Sequence, residues 1–214
     1  MLEQQLGPKG IKPIMMIHMI NTHVLPYMTF NDSNLDLEWF YGPEPQQSKY
    51  HYDLLRAESI GLQSGNMPLV LAMIDKVKSR EEGQIAARTK FGVMMVHEIR
   101  SREGGPVLNE HVAGFGYGQP GCEVINYWSE GAPLKADDAE VKWILLKKDE
   151  ELLLVLCTWR PKPHTAELAF DARARGFKLS EATDAESGEK LTVKGGSALS
   201  VPLVGFGVRI VRLR

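Results

Sequence analysis

The chain has 214 residues, with 25 Lys and Arg against 27 Asp and Glu, a formal net charge of -2, 43% hydrophobic and 24% charged residues. That is ordinary globular composition, enough for one large domain or two small ones. Charges of both signs are interspersed, so there is no basic face for a phosphate backbone and no polybasic stretch for an anionic bilayer. Nucleic acid and membrane surfaces are not expected partners.

The opening MLEQQLGPKG lacks a basic segment followed by a long apolar one, and the run IMMIHMI is too short to span a bilayer. Neither a signal peptide nor a transmembrane helix is expected in this chain. The compartment stays open, since a leader could precede Met1. From residue 11 to about 118, apolar runs alternate with stretches of helical composition. KPIMMIHM (12–19) reads as a buried strand and KYHYDLLRAESIGLQSG (49–65) as a helix, with Leu54, Leu55, Ile60 and Leu62 apolar and Gly65 as its stop. MPLVLAMID (67–75) is a second strand. SREEGQIAARTKF (79–91) is a second helix, with Ser79 and Glu82 at capping-box spacing, and GVMMVHEI (92–99) closes the series as a third strand. Continuous apolar runs are typical of strands covered on both faces, so a parallel β-α-β-α-β arrangement is expected.

From about residue 121 the grammar changes. CEVINYW, AEVKWILLKK, ELLLVLCTW, TAELAFD, LSEATDAESGEKLTV, ALSVPLV and GFGVRIVRL follow one another with no helix-length segment between them. Turn chemistry at KKDEE (147–151), WRPKPH (159–164), ESGEK (186–190) and KGGS (194–197) joins antiparallel neighbours. An antiparallel β-sandwich is predicted. The division expected is 1–118 for an α/β unit and 119–214 for the sandwich. Cys122 and Cys157 lie far apart with no CxxC, so free thiols are expected rather than a zinc site or a disulfide framework.

In parallel α/β sheets the carboxyl ends of the strands face the ligand. On the predicted strands those ends are His18, continuing into Asn21 and His23; Asp75; and His97 with Glu98. Adjacent strand residues point to opposite faces, so only one of His97 and Glu98 would enter the mouth, and these two are the catalytic candidates for moving a proton. The segment HMINTHVLPYMTFNDSNLDLEWFYGPEPQ, read as a long loop with one short helix near 32–38, adds Asp32, Asp36, Glu38, Trp39 and Tyr41. Loops longer than about 12–15 residues in a compact domain are functional or disordered, and this one is too aromatic for disorder. Carboxylates, imidazoles and flat rings suit a sugar: bidentate hydrogen bonds for vicinal hydroxyls, an aromatic face for the apolar side of a pyranose. Tyr50, Tyr52 and Arg56 could line the same mouth. The competing reading takes His18, His23, Asp75 and His97 as ligands of a hydrolytic metal centre, although no HxH or HExxH spacing is present.

Asn21-Thr22-His23, Leu25-Pro26, Phe30 to Asp32, Leu35 to Trp39, Arg56 to Gly65, His97-Glu98 and Tyr127-Trp128 together resemble the C-terminal portion of bacterial proteins similar to family-123 glycoside hydrolases. The second region separately resembles the small β-sandwich that trails the barrel in many glycoside hydrolases. The resemblance implies a partial (β/α)8 barrel, its last β/α units, followed by an antiparallel β-sandwich. About five further strands would precede Met1. It implies N-acetylgalactosaminide cleavage by an adjacent Asp-Glu pair. This chain has no such pair at a strand end, since Asp149-Glu150 lies in a sandwich turn. His18, His23, Asp36, Glu38, His97 and Glu98 would then hold substrate. No cofactor is implied.

Three classes of function follow: a glycosidase C-terminal segment, a non-catalytic carbohydrate-binding protein, and a metal-dependent hydrolase. The partner expected is carbohydrate, with self-association through an open barrel edge as a further expectation.

Overall fold

The computed structural model describes residues 2–18, 31–36, 44–58, 67–70, 77–101, 106–171 and 179–214. A short helix α1 (Leu2–Leu6) and a 3-10 turn precede a four-stranded sheet. Its strands are β1 (Met16–His18), β2 (Ser33–Asp36), β3 (Met67–Val70) and β4 (Arg100–Ser101), all parallel and in chain order. Between them run α2 (Tyr52–Glu58) and α3 (Arg80–Val96), and α4 (Pro106–Phe115) follows β4.

The parallel arrangement stands, but two of its assignments change. GVMMV is not a strand: it is the second half of α3, which runs 17 residues from its Ser79 cap. Ser79 Oγ accepts from Glu82 N at 3.1 Å, and the Glu82 carboxylate accepts from Lys78 N, so the capping residues act as their spacing predicts. Nothing breaks the helix at Gly92, and a helix buried all round is as continuously apolar as a buried strand. From Phe91 through His97 every residue is buried. Gly92 is needed here because a Cβ would come within 2.2 Å of Val208 Cγ2. The strand role passes to Arg100–Ser101. The second change is at 33–36, expected within the short helix near 32–38 of a long loop and found as β2, paired on both sides. Asp32 starts it: its Oδ2 accepts from Met15 N at 2.8 Å, and Lys12 lies 3.8 Å from its other oxygen.

Among the described residues nine strands build the sandwich. The five-stranded sheet has the order β10 (Ala182–Asp184), β13 (Val208–Leu213), β8 (Glu151–Thr158), β7 (Val141–Lys148), β5 (Glu123–Asn126), and the four-stranded one β11 (Thr192–Lys194), β12 (Ala198–Leu203), β9 (His164–Phe170), β6 (Leu134–Ala136). Every pairing in both is antiparallel. β7 and β8 meet through Asp149-Glu150, with Asp149 left-handed at φ 53°. The ESGEK turn forms on Asp184, whose Oδ1 accepts from Glu186 N and Ser187 N, but it does not make a simple hairpin: β10 joins one sheet and β11 the other.

Alternate residues of β8 explain its unbroken apolar run. Leu152, Leu154 and Leu156 face the four-stranded sheet, among Trp143, Leu168, Leu199 and Val201. Leu153, Val155 and Cys157 face the helical layer, among Val93, Val96, Val112 and Phe115. The five-stranded sheet is therefore a middle layer, and α3 is its second cover. Cys157 is buried there and Cys122 half-buried, and both are free thiols.

Candidate functional site

Two groups of candidate residues are placed in different surroundings. The first lies at the carboxyl edge of the parallel sheet. His18 ends β1 opposite Leu35, and Asp36 ends β2 opposite Val70, so the two close adjacent parallel strands at the same edge. Ser101 ends β4 opposite Val70 on the same side. Asn21, His23, Glu38, Trp39, Tyr41 and Asp75 lie outside the described residues. Asp32 sits before β2, away from that edge, and holds β1 as described.

The second group surrounds His97. His97 and Glu98 are not at a strand end; they form the C-terminus of α3 and precede the amino end of β4. The strand-end geometry on which their catalytic reading rested is therefore absent. His97 is 0% exposed. Its Nδ1 lies 2.7 Å from Val93 O, which can only accept, so that nitrogen carries the proton. Nε2 then accepts from the Tyr127 hydroxyl at 3.2 Å. Trp128 stacks near the ring at 6.1 Å, and Tyr127 and Trp159 meet it edge-on at 5.8 and 5.7 Å. Burial drives the imidazole down to about 4, with the charges of Lys142 and Arg56 acting the same way; hydrogen bonding to the Val93 and Tyr52 backbone opposes this and loses. A neutral imidazole with both nitrogens engaged is a keystone of packing, not a group poised to exchange protons near neutrality.

Glu98 is held in the left-handed region at φ 56° and accepts from Asn126 Nδ2 at 2.7 Å. That bond ties the end of α3 to the end of β5. Arg56 lies over Trp128, 5.8 Å from the ring centroid. Beside it, Lys142 Nζ sits 3.6 Å from the Tyr52 ring centroid and 5.0 Å from that of Tyr127, and donates to Ala139 O at 2.7 Å. Burial lowers the Lys142 amine and raises the Tyr127 phenol. Tyr50 is reached by Trp159 Nε1, which donates to its carbonyl at 2.8 Å. Lys142 and Asn126 were missed in the sequence. A single lysine inside the apolar run AEVKWILL is the signal that could have found the first, because a charge on a buried strand must meet a partner.

Among the described residues no three His, Cys, Asp or Glu side chains converge as a metal site would require. His97, one of the four proposed ligands, has both nitrogens engaged within the protein. No helix among the described residues is long and apolar enough to cross a membrane.

No protein-family model matches the chain, and no curated protein does. Solved structures do. A GH27 β-L-arabinopyranosidase from Geobacillus stearothermophilus, in complex with arabinose, superposes at TM-score 0.53 with 10% identity, over 88% of this chain and 47% of that one. The wild-type form of that enzyme gives 0.52 at 9% identity, over 90% and 47%. A noncanonic maltogenic α-amylase, AmyB from Thermotoga neapolitana, gives 0.51 at 13% identity, over 98% and 56%. The fold is glycosidase-like. At these identities the likeness is one of fold, and the chain spans about half the length of the structures it matches.

Proposed function

We propose that this chain is the C-terminal segment of a carbohydrate-active glycoside hydrolase, with sugar held at the carboxyl edge of the parallel sheet. The observation that carries the reading is the juxtaposition of His18 and Asp36 at the ends of adjacent parallel strands, in a fold shared with glycosidases over nearly the whole chain. A sugar site needs donors and carboxylate acceptors converging at such an edge. On this reading Asn21, His23, Glu38, Trp39, Tyr41 and Asp75 join them, and the family-123 resemblance supplies N-acetylgalactosaminides as the substrate class.

The same reading accounts for β1. Among the described residues it is the outer strand of a parallel sheet, yet Ile14 and Met15 leading into it and Met16 at its start are 79, 52 and 54% exposed. Parallel sheets are ordinarily covered on both faces and apolar edges invite pairing. The edge would take the further β/α units of a barrel; where these are absent, it would take a second copy of this chain.

Calorimetric titration with N-acetylgalactosamine, arabinose and maltose tests the reading. Binding of any one, weakened about tenfold or more by Asp36→Ala with thermal stability kept, is the expected result. Absence of binding by all three, or binding indifferent to both Asp36→Ala and His18→Ala, overturns it.

A further inference from the structure

A cleft at one end of the sandwich shares no lining residue with either group described above, although Lys142 of the second group donates to Ala139 O in its wall. It is an open hollow of about 580 Å³, within the size range of small-molecule sites. The turn between β6 and β7 forms one wall, with Asp137, Asp138 and Glu140; the connection into β9 forms the other, with Arg160, His164 and Thr165.

The two walls are tied to each other and to the backbone around them. Asp138 is clasped by the Arg160 guanidinium and accepts from Glu140 N at 2.9 Å. Arg160 O accepts from Phe206 N at 2.7 Å, and Gly205 lies so close that a Cβ would come within 2.2 Å of Pro161 O. The His164 ring is held between Thr158 Oγ1 at 3.5 Å and Lys162 O at 3.3 Å. Such bracing lets a ligand bind without first ordering the loops, which removes one cost of binding.

The unspent groups define the chemistry. Asp137 Oδ1 accepts from Glu167 N at 3.1 Å, and among the described residues its other oxygen accepts no hydrogen bond. Among the described residues the Glu140 carboxylate accepts no hydrogen bond, while its charge acts on Tyr52 and Lys142 next to it. Opposite stand the remaining guanidinium protons of Arg160 and the Thr165 hydroxyl, beside a His164 ring whose two nitrogens are already engaged. Ala139 is the one apolar residue in the lining, so the groups that could fix a ligand's orientation are polar. A metal ion would lack a third converging donor among the described residues. A cationic side chain would meet Asp138 already neutralised by Arg160. A neutral polyhydroxyl both donates to the carboxylates and accepts from the guanidinium, and so uses both walls.

We propose that this cleft is a saccharide-binding site on the sandwich, distinct from the strand-end edge and holding sugar by its hydroxyls. It rests on the reading of the chain as carbohydrate-active. The test is amide chemical-shift mapping of the full chain with maltose and with arabinose, repeated on Glu140→Gln and Arg160→Met. Saturable shifts are expected in residues 137–140 and 160–165 with at least one sugar, weakened about tenfold in each variant. Each variant's remaining spectrum and unfolding midpoint report its fold; should Arg160→Met unfold, Glu140→Gln alone decides. Shifts confined to residues near His18 and Asp36 overturn the cleft and keep the carbohydrate reading. No shifts with either sugar overturn the cleft proposal as well, and the N-acetylgalactosamine titration above then decides the carbohydrate reading separately.

Discussion

The two faces of the five-stranded sheet are equally dry and differently made. Towards the four-stranded sheet, Leu145, Leu152, Leu154, Leu156 and Val211 pack among aliphatic side chains, Trp143 and Phe170, while the polar ties between the sheets, Arg209 to Pro202 O at 3.0 Å and Thr158 to His164 at 3.5 Å, are exposed or part-buried. Towards α3, aliphatic packing by Ile144, Leu146, Leu153 and Val155 is interleaved with polar ties. His97 reaches Tyr127, Glu98 reaches Asn126, and Gln47 Nε2 reaches Cys157 Sγ at 3.2 Å and Phe206 O at 3.0 Å. A mostly aliphatic face tolerates sliding between similar packings, whereas buried directional bonds fix one docking of the helical layer on the sheet. The face of residues 119–214 turned towards α3 is thus covered by residues before 119.

Removing the helical layer gives the largest expected effect. Residues 119–214 expressed alone would expose Leu146, Leu153, Val155 and Ile210, and are expected to bind a hydrophobic dye and aggregate instead of melting cooperatively as a monomer. A well-folded monomer with the midpoint of the full chain would dissolve the comparison. Next come the paired substitutions Leu153→Ala and Leu154→Ala, adjacent, fully buried and on opposite faces. Urea denaturation should place each about 2–5 kcal/mol below the parent. A cost under about 1 kcal/mol for Leu153→Ala alone would show that α3 packs loosely.

His97 adds a pH signature to the helical face only. Its folded value of about 4 lies below the ordinary 6.5, so the unfolded chain takes up the proton first as pH falls. Stability is lost through the window from about 6.5 to about 4 and this group adds nothing further below it. The loss amounts to about 3 kcal/mol. His97→Phe should remove that component from the difference between pH 7 and pH 4 stabilities; an unchanged difference would mean the imidazole titrates normally.

Gly92→Ala should cost about 1–3 kcal/mol by forcing a methyl against Val208, and Val208→Ala in the same chain should recover part of it. Additive losses in the double variant would place the strain elsewhere. The smallest effect belongs to Arg88, which forks onto Glu186 and also donates to Val208 O at 2.8 Å. Because the pair is partly exposed, Arg88→Ala should cost about 1 kcal/mol and less in high salt.

Read by itself, the sequence determined the change of grammar near residue 120, the sandwich with its turns at Asp149 and Gly195, the parallel order of the first half, and the Ser79 cap. Each is a local signal: side-chain period, turn chemistry, or a capping oxygen at a set distance along the chain. Tertiary structure decided the rest. Whether GVMMV would be helix or strand depended on α3 lying against β8 and β13, because a residue surrounded by apolar neighbours carries no period to betray its backbone. The polar run Ser33–Asp36 became a strand because β1 and β3 supply hydrogen-bond partners on both sides, a contribution no window of sequence contains. Expected at a strand end facing a ligand, His97 was legible as an imidazole beside a carboxylate. Its role was not, since the rings that neutralise and enclose it come from residues 127, 128 and 159, and only the docking of the helical layer brings them together.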